Sequence, residues 1–223
     1  MSTTHWSLVI SLVLASIDWL VVARRKKRLE YVFKPATMVA LLIWAWLLTQ
    51  GPHDDWEAGF LLPGLALSLI GDILLMLDAR FFLPGLAAFL LAHLCYIAAL
   101  NSTPPPWPTF ALLAVVAAVG LPLYRAITDN LRRRGQTALV MPVTLYSLVI
   151  SLMLLSAWAT LFRPEWTRLR RGLVAAGASL FFASDAMLAW DRFVKPSPSA
   201  RLRVMVTYHL GQIALAASIA LWA

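Results

Sequence analysis

The chain has 223 residues, of which 61% are hydrophobic and only 13% charged, with a mean hydropathy of +0.75. Ordinary soluble domains are about 45–50% apolar, and a soluble fold of this length has no interior large enough to hide the excess, so lipid must cover it. The net charge of +8 does not signal nucleic acid, because the 19 Lys and Arg form short clusters beside apolar runs rather than one basic stripe. Clusters of that kind are typical of cytoplasmic loops facing anionic headgroups. Cys95 is the single cysteine, which excludes an intrachain disulfide and a cysteine metal cluster.

At about 20 residues per crossing, the apolar runs predict eight transmembrane helices over 6–23, 32–49, 58–78, 82–100, 109–125, 137–161, 169–190 and 203–222. The basic run Arg24-Arg25-Lys26-Lys27-Arg28 follows the first, which therefore reads as a retained helix with a stop signal rather than a cleaved leader. Gly51-Pro52-His53-Asp54-Asp55 separates the second and third, and a tight Asp78-to-Pro84 turn follows. Thr103-Pro104-Pro105-Pro106 then stops the fourth. Arg132-Arg133-Arg134-Gly135, Arg163-Pro164 and Lys195-Pro196-Ser197-Pro198 mark the remaining breaks. The expected fold is all-α, a polytopic membrane bundle forming one transmembrane domain over 1–223.

Fifteen of the 19 Lys and Arg lie in or beside the odd-numbered connections, and the other four lie between the sixth and seventh spans. The positive-inside rule then predicts odd connections in the cytoplasm and both termini outside it, in a bacterial inner membrane. Arg163 to Arg171 is a basic exception on the outer side.

The chain also reads as two copies of a four-helix unit, 1–105 and 106–223. Lys34-Pro35-Ala36-Thr37 is matched by Met141-Pro142-Val143-Thr144. Gly71-Asp72, with Asp78 six residues on, is matched by Ser184-Asp185 with Asp191 six residues on. His93-x-x-Tyr96 is loosely echoed by His209-x-x-Gln212. Such repeats often place a site at their interface, although short matches between apolar helices also arise by chance.

A carboxylate inside a span costs at least about 2.5–3.5 kcal/mol, so Asp72 and Asp185 need a reason. Both fall at similar depth in the predicted cytoplasmic half. Asp72 lies six residues before the Asp78 end, roughly 9 Å along a helix. Neighbouring spans bring His93, Tyr96, Tyr146, Tyr208 and Gln212 to that depth, with Lys34 at the foot of the second span. The bland reading is helix glue, each Asp paired to Lys34 or a histidine. Asp18 is expected to form a structural ion pair with Arg24 or Arg25, and Asp78 and Asp191 to cap helix ends. His93 alone would be a core histidine, and only one of Tyr208 and His209 is expected to face the site. Gly71, Gly85 and Gly177 read as helix-packing positions, and His5 and His53 carry no role. Two facing buried carboxyls provide a general acid beside a general base, suited to hydrolysis through an oxocarbenium ion. They equally suit proton-coupled transport of a lipid or small solute. Zinc on His93, His209, Asp72 and Asp185 is a weaker variant, because no H-x-x-x-H or H-E-x-x-H spacing supports it. No cofactor is expected.

At these positions the sequence resembles the YhhN family of lysoplasmalogenase-like membrane proteins. The resemblance is carried by Lys34-Pro35, Gly71-Asp72-Ile73-Leu74-Leu75-Met76 with Phe81 and Gly85, and Phe89-x-x-x-His93-x-x-Tyr96. It continues through Pro142-x-x-x-Tyr146, Phe182-Ala183-Ser184-Asp185 with Phe193, and Tyr208-x-x-x-Gln212. It implies eight membrane helices and hydrolysis of the vinyl-ether bond of lysoplasmalogens to a fatty aldehyde and a glycerophospho-alcohol. It points to Asp72 and Asp185 as the catalytic pair. His93 is then expected to help activate water, with Lys34, Tyr96, Tyr146, Tyr208 and Gln212 binding substrate. The expected partners are a lysophospholipid and membrane lipid, with no obligatory protein partner.

Overall fold

The computed structural model describes residues 3–51 and 55–221, so His53 and most of the turn around it lie outside the described residues. Eight helices follow one another: α1 (Thr3–Ala23), α2 (Lys27–Leu48), α3 (Asp55–Met76), α4 (Phe82–Leu100), α5 (Thr109–Arg133), α6 (Val140–Ala159), α7 (Arg168–Phe193) and α8 (Ala200–Ala217). Each is long and apolar enough to cross a membrane, and the described residues contain no strand. The protein is an integral membrane helix bundle.

The helices start and stop where the backbone chemistry requires. Pro84 and Pro142 each sit third in their helices, where a missing N–H forfeits no intrahelical bond. Arg25 turns the chain between α1 and α2 with φ of 52°, and Gly135 does so before α6 with φ of 72°. The span predicted to end at residue 125 instead continues as helix to Arg133. Its last two turns bury Ile127, Thr128 and Leu131 and expose Arg125 and Arg132, so helical periodicity outlasts the apolar run.

Within each crossing, buried residues recur every three or four positions. On α3 these are Glu57, Leu61, Gly64, Leu65, Ser68, Gly71 and Asp72. On α8 they are Val204, Tyr208, His209, Gly211, Gln212 and Leu215. The opposite faces expose residues such as Ile10, Ile43, Phe110, Val119 and Leu148 to lipid. Sequential helices pair closely as α1–α2, α3–α4, α5–α6 and α7–α8. Of the eight, α8 is the most buried and α5, which packs chiefly on α6 and α7, the least.

The basic exception between α6 and α7 is largely internal. Arg163 is buried and donates to the Leu100 and Thr103 carbonyls and to the Thr103 hydroxyl. Arg170 is buried as well, ion-paired to Glu57 and stacked 3.7 Å from the centre of the Trp166 ring. Two of the four arginines there are thus satisfied within the protein rather than presented to lipid headgroups.

Small residues let the helices that carry the two aspartates approach closely. A Cβ added at Gly71 would strike the Phe89 ring at 2.6 Å, and one at Gly85 would meet Leu75 at 2.8 Å. Between α7 and α8 the contact is backbone to backbone. A Cβ on Gly211 would lie 2.9 Å from the Gly177 carbonyl oxygen and 3.0 Å from the Phe181 nitrogen. Neither can move without separating the helices. Gly211→Ala is therefore expected to cost about 1–3 kcal/mol by overpacking, read as a lower melting temperature in detergent. Gly59→Ala, where nothing lies within 4 Å, is expected to leave it unchanged.

Candidate functional site

Asp72 occupies the last full turn of the buried face of α3, where a bare carboxylate would meet neither water nor lipid dipoles. Two other helices satisfy it. Lys34 of α2 places Nζ 2.9 Å from Oδ1, and the Tyr208 hydroxyl of α8 donates to Oδ2 at 2.7 Å. Lys34, Asp72 and Tyr208 are all buried, at 5%, 1% and 2% exposure. Each carboxylate oxygen therefore has its own donor, a strong charge-assisted arrangement.

Asp185 of α7 is held by the other two inner helices. The Tyr146 hydroxyl of α6 donates to its Oδ2, and His93 Nε2 of α4 lies 3.3 Å from the same oxygen and 3.1 Å from the Tyr146 oxygen. His93 Nδ1 is buried with no hydrogen-bond partner among the described residues. An Nε2–H directed at Asp185 Oδ2 and the Tyr146 oxygen fits this arrangement, since a lone pair on Nδ1 is the less costly group to leave unmet. Among the described residues no hydrogen bond reaches Asp185 Oδ1.

The two aspartates line one cavity of about 120 Å³, together with Lys34, Tyr208, Glu30, Asp191 and Arg201. Leu75, Phe89 and Leu188 supply its apolar wall. The Phe181 ring, fully buried, lies 4.8 Å from the His93 ring and 5.3 Å from that of Tyr208, packing between the two hydrogen-bonded groups.

The other expected site residues fall elsewhere. The Tyr96 hydroxyl donates to Gln212 Oε1 at 2.8 Å and lies 3.2 Å from the Ser68 hydroxyl. These residues form a separate buried polar tie between α3, α4 and α8 and do not line the cavity. His93 is also off the cavity wall and reaches it only through Asp185. Of the neighbours on α8, Tyr208 meets Asp72, while His209 turns toward α1 and accepts from Trp19 Nε1 at 3.1 Å. No three of His, Cys, Asp and Glu form a metal-binding group among the described residues.

Two readings of acidic residues need revision. Asp18 does not pair with Arg24 or Arg25. It is fully buried, and neither of its oxygens has a hydrogen-bond partner among the described residues. It lies five residues short of the end of α1, on the buried face, whereas Arg24 and Arg25 are exposed. Asp191 does accept from the Ser197 N–H at 2.6 Å, as a helix-end residue should, but it also lines the cavity. Glu30 and Arg201 were not legible beforehand. Arg201 grips both Glu30 oxygens, at 2.6 and 2.7 Å, at the edge of the cavity. Both lie near helix starts, where sequence alone suggests solvated ends.

Lys34→Met would leave the buried Asp72 without its cation. Breaking such a pair from one side costs about 3–5 kcal/mol. The Lys34→Met/Asp72→Leu double variant is expected to regain part of that loss, read from melting temperatures in detergent. A double variant no more stable than the single one would contradict the pairing.

Residues 29–219 match the model of the YhhN family. The chain is 35% identical over 185 residues to a mouse protein named lysoplasmalogenase TMEM86B, covering 82% of this chain and 72% of that one. It is 32% identical over 197 residues to a lysoplasmalogenase of Mycobacterium bovis, covering 85% and 69% respectively. An Escherichia coli O6:H1 protein named YhhN, described as an uncharacterised membrane protein, is 30% identical over 160 residues, covering 70% of each chain. No solved structure matches the chain. The match over nearly all of α2 to α8, which carry both aspartates and their partners, shows that the chain belongs to the YhhN family.

Proposed function

We propose that the protein is a membrane-embedded lysoplasmalogenase that hydrolyses the vinyl ether of a lysophospholipid, with Asp185 as the acid and Asp72 as the base. The observation that carries this reading is that the two carboxyls share a cavity while being held by different donors. The names of the mouse and mycobacterial relatives support the reaction class.

The division of roles follows from the partners. Asp72 receives an ammonium on one oxygen and a phenol on the other, which are the contacts of an ionised carboxylate. Asp185 takes both its contacts on Oδ2, leaving Oδ1 free to carry a proton. In the first step Asp185 transfers that proton to the β-carbon of the vinyl ether, and the oxocarbenium ion forms beside the Asp72 carboxylate. Water then attacks the α-carbon and gives a proton to Asp72, producing a hemiacetal. The hemiacetal carbon–oxygen bond breaks, Asp72 returns its proton to the leaving alcohol oxygen, and the hemiacetal hydroxyl proton restores Asp185. The sum is addition of one water, with release of a fatty aldehyde and a glycerophospho-alcohol. His93 and Tyr146 are positioning residues that fix the Asp185 carboxyl. Lys34, buried and committed to Asp72, acts on the carboxylate. Arg201 pairs with Glu30 through Nη2 alone and is half-exposed at the cavity edge, so its remaining N–H groups are the better placed donors for the substrate phosphate.

On this reading the site lies in the cytoplasmic half of a bundle with both termini outside, as the loop charges predict. A duplicated four-helix unit accounts for the partner pattern. Each Asp is held by the second helix of its own half, α2 or α6, and by the fourth helix of the other half, α8 or α4.

The test is aldehyde release, followed by mass spectrometry, from purified protein in micelles given vinyl-ether, alkyl-ether and ester lysolipids. Only the vinyl ether should turn over. Asp72→Asn and Asp185→Asn should each lower kcat by about a hundredfold or more while the protein still inserts and melts cooperatively. Near-normal release from either variant would refute the two-carboxylate mechanism.

A further inference from the structure

We infer that a slot between α5, α6 and α7 holds the hydrocarbon chain of a single-chain amphiphile. Gly120, facing Ser147 and Ser151, sets the chain length that the slot accepts. The inference deepens the hydrolase reading above and rests on it for the position of the reacting bond.

Three cavities lie in series. The polar cavity shares Leu75, Phe89, Leu188 and Asp185 with an apolar one, whose wall also includes Tyr146, Phe182 and Ile150. That second cavity in turn shares Gly120, Tyr124, Ser147 and Ser151 with a third, of about 310 Å³, which runs between α5 and α6 as far as Leu113 and Leu155. Asp185 thus stands in the wall where polar surroundings give way to apolar ones. From Tyr146 to Leu155 the slot follows nine residues of α6, roughly 14 Å at 1.5 Å per residue. It runs away from the end of the bundle that carries Glu30, Arg201 and Asp191.

The occupant is fixed by the two ends of this path. One end has a lysine, an arginine and carboxylates. The far end is lined mainly by aliphatic side chains, with Tyr124, Thr144, Ser147 and Ser151 among them. In the middle cavity the one charge besides Asp185 is Arg192, whose guanidinium lies 3.8 Å over the Phe82 ring. A molecule with one polar head and one apolar chain satisfies both ends at once, with its head–chain linkage beside Asp185. Gly120 keeps the junction of the apolar cavities open. A Cβ there would already meet Ser151 Oγ at 3.4 Å, so a bulky side chain would fill the gap to α6 and close the slot. Ser151 donates to the Ser147 carbonyl at 2.7 Å, so its hydroxyl is satisfied within its own helix and adds little polarity. Leu113, Leu121, Leu148 and Leu152, which line the third cavity, are also exposed on the lipid-facing surface, so the slot opens sideways toward lipid.

The experiment compares Gly120→Phe with wild type on hexadecenyl and octenyl vinyl-ether lysolipids. Gly59→Phe, on a lipid-facing position of α3, serves as the control. The long-to-short ratio of kcat/KM should fall about tenfold or more in Gly120→Phe, the scale on which apolar pockets discriminate chain length, and stay put in Gly59→Phe. In parallel, a lysophosphatidylcholine with a diazirine at its chain end should label 113–124 or 144–155 in wild type. That labelling should be competed by unlabelled lysolipid and lost in Gly120→Phe. An unchanged ratio, or competed labelling elsewhere in the chain, overturns the slot. Labelling of these segments by a wild-type protein that releases no aldehyde would uphold the slot and reject the hydrolase reading.

Discussion

A membrane interior cannot solvate a carboxylate, so an acidic side chain that enters it needs partners from other helices. In this bundle that requirement determines which helices meet. Asp72 of α3 draws Lys34 from α2 and Tyr208 from α8, and the three are buried to within 5% of complete exclusion. Glu57, at the other end of α3, draws Arg170 from α7 and the Ser218 hydroxyl just beyond α8. The first turn of α3 is thus tied to the second half of the chain by an ion pair and its last by the Tyr208 hydrogen bond, and the apolar faces between them need only pack. Apolar side chains gain little by leaving lipid for each other, which makes such ties more decisive here than they would be in a water-soluble core.

The same constraint explains what was legible in advance. Apolar runs of about 20 residues, ended by prolines and charges, revealed all eight helices, and the cost of an intramembrane charge singled out Asp72 and Asp185. Their partners were harder to read, because a partner is set by helix rotation, and one residue on a helix turns a side chain by about 100°. Tyr208 and His209 are adjacent, yet one meets Asp72 and the other Trp19 of α1. Tyr96 and Gln212 shared a depth with the aspartates but bond to each other, because depth says nothing about which neighbour a face meets. Charges near helix ends were the least legible. Glu30, Arg201, Glu57 and Arg170 resemble solvated caps in sequence, and only the packing of distant helices turns them into buried or cavity-lining pairs.

The exchange of partners between halves has a structural consequence. Neither carboxylate is completed by helices of its own half alone: Asp72 needs α8 and Asp185 needs α4. Phe181 packs against both His93 and Tyr208, so the two hydrogen-bonded groups share one aromatic contact across the interface. A displacement between the halves would loosen both carboxyls together. The buried Glu57–Arg170 ion pair, which also joins α3 of one half to α7 of the other, opposes it.

Under the hydrolase reading, the unequal settings of the two aspartates matter more than their similarity of depth. Two carboxyls with the same partners would give no direction to proton transfer. Here a lysine stands on one and a histidine with a tyrosine on the other, so the proton has one preferred place to start and one to be received. The cavity walls add a second asymmetry, since Asp185 alone of the pair also borders the apolar slot. In a lysoplasmalogen the vinyl-ether carbons lie where the chain begins, the α-carbon one bond and the β-carbon two bonds from the oxygen of the polar half. Protonation must occur on the chain side of that linkage and water must arrive from the polar side. An acid on the apolar boundary and a base within the polar cavity meet both requirements, and exchanging the two residues' surroundings would meet neither.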